Sequence, residues 1–223
     1  RRIPVGRIFT EEDNTGATAL TRETLRGIDV CIDFSSPAAV LGNIRAVAAA
    51  GCNMVVGTTG WYEHLDEVRT LVGEKQIGFL YAANFSLGVN IFSQMVMDAA
   101  RLFERHAGYD VAISEVHHRG KADSPSGTAL SLASLILETF ARKSEILGET
   151  SHGAIAQNRL HISSTRVGHV PGRHSVIFDS EADTIELTHT ARNRRGFALG
   201  ALVAAEWLTG KKGFYTMRDA ILA

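Results

Sequence analysis

Cysteine, tryptophan and proline are scarce in these 223 residues: two, two and four. Two cysteines, Cys31 and Cys52, cannot build a disulfide framework and show no metal-ligand spacing, which argues against a stapled secreted scaffold and a structural zinc site. They fit a reducing, cytoplasmic setting. No apolar run approaches the ~18 residues of a membrane span, and no signal-peptide pattern is visible. Neither sign of charge dominates: 23 Lys+Arg face 24 Asp+Glu, a net charge of -1. No global field draws the chain to nucleic acid or an anionic membrane, so any anion site has to be local. With 45% hydrophobic and 21% charged residues, disorder is excluded as well. The chain also lacks an initiator Met, and its opening Arg1-Arg2-Ile3-Pro4 reads as a start partway into a domain.

What is present alternates between two patterns. Apolar runs at 5–9, 28–34, 54–56 and 77–81 lack polar alternation, as strands of a parallel sheet covered on both faces do. Between them, Pro37–Ala50 follows the N-cap pair Ser36-Pro37 and stops at Gly51, and residues 62–72 carry a second helical stripe. Strand–helix–strand repetition at this spacing predicts a doubly wound, Rossmann-like α/β unit. A longer helix is expected over 88–106, a strand over 110–116, and a helix from Ser124-Pro125 to about Arg142. Residues 159–190 alternate apolar and polar positions, which predicts an open, largely antiparallel sheet with a hairpin turn at Pro171-Gly172. Helical spacing returns over Arg195–Leu208 and Met217–Leu222. The division expected is a dinucleotide-binding domain of residues 1–86 with 195–223, and an α+β substrate domain of residues 87–194.

The richest segment runs from Glu115-Val116-His117-His118 through Lys121 to Asp123-Ser124-Pro125-Ser126-Gly127-Thr128. With Ser124 as N-cap and Pro125 in the first turn, amides near Ser126, Gly127 and Thr128 lack intrahelical partners and favour a bound anion. Lys121 adds a point charge, making a seat for carboxylate or phosphate. His117 and His118 point to opposite faces of a strand, which disfavours chelation of one metal by both. No metal site is expected. One histidine suits proton donation near neutral pH while the other contacts ligand. On these residues alone, two surface histidines beside a capped helix are an equal reading. Gly57-Thr58-Thr59-Gly60 and Ala82-Ala83-Asn84-Phe85 end two parallel strands, where open α/β sheets place their crevice; taken singly, both read as plain βα turns. Arg166, Arg173 and His174, with Arg192, Arg194 and Arg195, form either a solvated basic face or part of an anion site.

Together these segments resemble the 4-hydroxy-tetrahydrodipicolinate (dihydrodipicolinate) reductase family, from about Ile28 to the C-terminus. The block from Glu115-Val116-His117-His118 to Ser126-Gly127-Thr128-Ala129 carries the likeness. Asp33-Phe34-Ser35, the two strand-end segments and Thr188-His189…Arg194…Phe197-Ala198 follow in order. The resemblance implies a reductase of diaminopimelate and lysine biosynthesis that uses NADH or NADPH on a cyclic imine bearing two carboxylates. Hydride is delivered to ring C4 as hydroxyl is lost, and a proton is added at the neighbouring carbon. By this resemblance His117 is the proton donor/acceptor and Lys121 the proton donor. His118, Ser126, Gly127 and Thr128 bind substrate, and Gly57, Thr58 and Thr59, with Ala82, Ala83, Asn84 and Phe85, line the nicotinamide side. A cytoplasmic homotetramer joined through the C-terminal sheets is implied as well.

One departure stands out. The family opens with a strand and a glycine-rich turn that cradles pyrophosphate. Here Val5-Gly6-Arg7-Ile8-Phe9 resembles the family's second strand instead, with the acidic Thr10-Glu11-Glu12-Asp13 run where a residue would meet the adenosine ribose. Truncation accounts for this, since the downstream positions are intact. The alternative is a non-catalytic dicarboxylate-binding relative that has lost its cofactor cradle.

Overall fold

The structure, a computed structural model, describes residues 5–223. It divides into two compact units, one formed by the chain up to Asn90 with Arg195–Ala223, the other by Ile91–Arg194. The break after Asn90 falls inside helix α3, Leu87–Glu104.

Numbered in chain order, the first unit holds strands β1 (Val30–Asp33), β2 (Asn53–Val56), β3 (Gly78–Tyr81) and β9 (Gly213–Thr216), all parallel in the order β1-β2-β3-β9. Successive strand residues face opposite sides, so consecutive apolar residues feed two cores. Met54, Val56 and Phe79 pack with Val40, Ile44 and Val47 of α1 (Pro37–Ala50) and Val68 and Val72 of α2 (Leu65–Lys75). Val55 and Leu80 turn the other way, onto Ala201, Ala204 and Leu208 of α5 (Arg195–Leu208) and Met217 of α6 (Met217–Leu222). Helix α1 ends where Gly51 adopts the left-handed conformation (φ 77°) that a side chain disfavours.

The strand expected over residues 5–9 does not form. Val5 and Ile8 are 71% and 81% exposed, and Phe9 packs beside the α1 core instead. Apolar spacing does not make a strand without a ladder partner for its N–H and C=O groups. In the acidic run that follows, the Asp13 carboxylate accepts bonds from the Thr10 amide and hydroxyl, at 3.2 and 2.7 Å.

The second unit carries β4 (Asp110–His117), α4 (Gly127–Thr139), β5 (Glu145–Leu147), β6 (Arg159–Arg166), β7 (Arg173–Asp179) and β8 (Thr184–Thr190). The sheet order is β5-β6-β4-β7-β8; β6 runs parallel to β5 and β4, while β7 runs antiparallel to β4 and β8. The sheet is therefore mixed, and Pro171-Gly172 is not a hairpin between paired strands, because β4 lies between β6 and β7. Alternation shows that strands exist but not which neighbour each takes. The central strand buries Val111 and Ile113 against Leu132 and Ile136 of α4 and Val96 of α3.

Gly200 sets how closely α5 approaches the β3 end: a Cβ there would lie 1.6 Å from the Phe85 carbonyl oxygen. Backbone cannot yield as a flexible side chain does, so Gly200→Ala should cost about 2–3 kcal/mol. A lowered urea midpoint with an unchanged slope is the expected readout; an unchanged midpoint would contradict this packing.

Candidate active site

The inward positions of β4 turn from apolar to ionisable towards its end: Val111, Ile113, Glu115, His117. Strand pairing sets Glu115 between Ser164 of β6 and His174 of β7, and His174 opposite His189 of β8. A polar row thus continues the core face of the sheet.

Glu115 has no exposed surface, yet its carboxylate is well supplied. One oxygen accepts from the Arg166 guanidinium at 2.8 Å and from the Ser126 amide at 3.3 Å; the other meets His117 Nδ1. Burial alone would raise its pKa, but bonds from Arg166, Ser164 and Ser126 and the nearby His117 hold it below the usual carboxylate value. For His117, burial lowers the pKa and Glu115 opposes it, leaving a net decrease. The free site therefore favours a neutral imidazole whose Nδ1–H points to the carboxylate. Its Nε2 faces Gly172, where a Cβ would come within 3.0 Å of that nitrogen. The glycine read as a hairpin residue leaves room for the His117 ring.

His174 is also buried; its Nε2 lies 3.1 Å from Ser126 Oγ, and burial, helped by His117, pushes its pKa down to about 4. Ligand atoms of Glu115, His117 and His174 lie within 4.8 Å of one another, a proximity that sequence spacing did not suggest. The guanidinium already on Glu115 competes with any cation there, and the cluster is a hydrogen-bonded acid–imidazole group as it stands.

The α4 start differs from expectation. Ser126, not Ser124, is the N-cap: its backbone is extended (φ -69°, ψ 155°) and its Oγ accepts from the Ala129 amide at 3.3 Å. Pro125 precedes the helix, which starts at Gly127. Ser126 is 2% exposed, with its amide on Glu115 and its hydroxyl 3.1 Å from His174 Nε2. The Gly127 and Thr128 amides remain at the helix start, and Lys121 Nζ donates to Asp123 at 2.6 and 2.8 Å. His118 is half-buried just beyond the strand. Of the basic residues, Arg166 and His174 join the site, whereas Arg173 pairs with Glu186 at 3.3 Å on the surface.

In the first unit the ends of β1, β2 and β3 share one edge of the parallel sheet. Thr58 donates its hydroxyl to Asp33 (2.6 Å), which also accepts from Asn43 (2.8 Å) and Ser35 (2.9 Å). Thr59 and Ala83 are exposed, Gly57, Ala82 and Asn84 half-buried, and the Phe85 ring is packed in the core. Phe34, 56% exposed, covers Gly57 so closely that a Cβ there would meet its ring at 2.2 Å. The buried Ser36 Oγ at the α1 N-terminus has no protein partner. An open aromatic, exposed strand-end backbone and an orphan hydroxyl fit the nicotinamide–ribose half of a pyridine nucleotide. Among the described residues no glycine-rich strand-to-helix turn precedes β1.

A Rossmann-like parallel sheet in one unit and a buried acid–imidazole pair beside a helix N-terminus in the other make this a two-domain α/β protein. Family models for the N-terminus and the C-terminus of dihydrodipicolinate reductase match residues 6–85 and 88–221. The chain is 43% identical to the 4-hydroxy-tetrahydrodipicolinate reductase of Christiangramia forsetii, over 87% of this chain and 80% of that protein. It is 41% identical to that of Pseudomonas fluorescens, over 86% and 73%. A solved dihydrodipicolinate reductase from Paenisporosarcina sp. TG-14, with dipicolinate bound, is similar with TM-score 0.73 and 27% identity, over 86% of this chain and 73% of that one. The chain belongs to the dihydrodipicolinate reductase family.

The depressed His174 pKa has a consequence for stability. Above the unfolded value of about 6.5 the ring is neutral in both states. As pH falls towards 4 the unfolded chain takes up the proton first, so stability is lost across that window. Urea midpoints from pH 7 to 4 should fall more steeply for the wild type than for His174→Gln; parallel curves would contradict the assignment.

Proposed function

We propose that the chain reduces 4-hydroxy-tetrahydrodipicolinate with NADH or NADPH in diaminopimelate and lysine biosynthesis. One substrate, one reduced nucleotide and one proton give tetrahydrodipicolinate, the oxidised nucleotide and water. The observation that carries the reading is the buried Glu115–His117 pair beside Lys121 and the Gly127–Thr128 helix start.

The nucleotide, when bound, supplies the hydride. The chain's own residues bind, orient and move protons. The first unit holds the nicotinamide half at Gly57, Thr58, Thr59 and the Ala82 to Phe85 backbone, with Phe34 and Ser36 beside them. In the second unit, Lys121 and the amides of Gly127 and Thr128 take one carboxylate, and His118 contacts the ligand. Two negative charges close to His117 raise the affinity of Nε2 for a proton, which the free site keeps low. Glu115 holds Nδ1 and stabilises the imidazolium, so the ring gives and takes protons at Nε2 on the substrate carbon. Lys121, a proton donor, assists departure of the hydroxyl as water.

A diacid binder without hydride chemistry gives no reason for a buried acid to hold His117. Assembly through the second-unit sheets into a homotetramer is part of the proposal, supported by Ile185, 40% exposed on edge strand β8. A cytoplasmic location is proposed on the free thiols of Cys31 and Cys52, which lie 3.6 Å apart. Among the described residues no helix is long and apolar enough to cross a membrane.

Oxidation of NADH or NADPH with freshly made substrate tests the activity. His117→Gln and Lys121→Ala should each lower kcat by about 10²-fold or more. Wild-type kcat in both variants would remove these roles, and a wild-type protein without turnover would reject the function.

A further inference from the structure

Resting on the carboxylate seat proposed above, we infer that Asp123 is an internal stand-in for the ligand: its carboxylate occupies the seat in the free chain and is displaced when a diacid binds. Lys121 Nζ bonds both Asp123 oxygens, at 2.6 and 2.8 Å, and the Gly127 amide at the start of α4 helps to hold that carboxyl below its usual pKa. An ammonium and a helix-start amide are the donors that a ligand carboxylate requires here, and two carboxylates cannot share them.

The surroundings suit exchange. The Asp123 side chain is 57% exposed, so it can rotate into water without leaving a buried charge. Its backbone is held in place, because Arg166 Nη2 donates to the Asp123 carbonyl at 2.7 Å as well as to Glu115. The swing is therefore a side-chain rotation on a fixed loop. Until the swap, Lys121 keeps a counter-ion and the donors stay oriented. The device also selects: only an anion that bonds both donors outcompetes a tethered carboxylate, whereas a neutral amide or hydroxyl does not. Asp123 is thus a specificity residue.

Calorimetric titration of pyridine-2,6-dicarboxylate into the full chain tests this, with wild type, Asp123→Asn, Asp123→Ala, Lys121→Gln and Lys121→Gln/Asp123→Asn, each shown to be folded by thermal melting. Removing an exposed competitor of this kind should tighten binding by about two- to fivefold in both Asp123 variants. The gain should vanish in the Lys121→Gln background, as a cycle between contacting partners requires. Unchanged or weaker binding by the Asp123 variants overturns the displacement. An equal gain in the Lys121→Gln background does so too, since it would reflect general relief of negative charge. If even the wild type fails to bind the diacid, the seat itself falls, and the proposed function with it.

Discussion

Burying a carboxylate costs several kcal/mol unless opposite charge and hydrogen bonds replace the lost water. Glu115 meets that condition through three groups: the Arg166 guanidinium, 51 residues away, the Ser126 amide and the His117 ring on its own strand. Each is fixed by the contact in turn. Arg166 also anchors the Asp123 carbonyl, Ser126 caps α4, and His117 is held with Nε2 towards Gly172. The His117 ring, the start of α4 and the loop bearing Lys121 therefore share one buried charge as their common support.

The first unit solves a different problem. A parallel sheet covered by helices on both faces leaves only its strand ends for ligand, and those ends need polar groups that do not collapse onto one another. Asp33 draws Ser35, Asn43 and Thr58 into one network, which stiffens the edge while Thr59, Ala83 and the Phe34 ring stay open. The Thr58 hydroxyl is engaged in that network, at 2.6 Å from Asp33.

Much of this was legible in the residues. Ser36-Pro37 and Gly51 bracket α1, and the bounds of α5 and α6 also follow from spacing. Strands β5 and β9, of three and four residues, are too short to show alternation. The place of β4 between β6 and β7 depends on tertiary pairing, which periodicity does not encode. At the site, His117, Lys121 and Gly127 stand out by residue type and local order. The grip of Glu115 does not, because Arg166 is 51 residues away and His174 lies on another strand. The available signal was an acid two residues before a histidine, on the otherwise apolar face of one strand.

The central claim is that Glu115 fixes the tautomer and proton affinity of His117. Imidazole nitrogen chemical shifts of His117, followed against pH in wild type and Glu115→Gln, with and without pyridine-2,6-dicarboxylate, address it most directly. The account predicts an Nδ1–H tautomer in the free wild type, a pKa that rises when the diacid binds, and a lower pKa in both states once Glu115 is neutralised. An Nε2–H tautomer, or a pKa indifferent to both the diacid and the substitution, would contradict it.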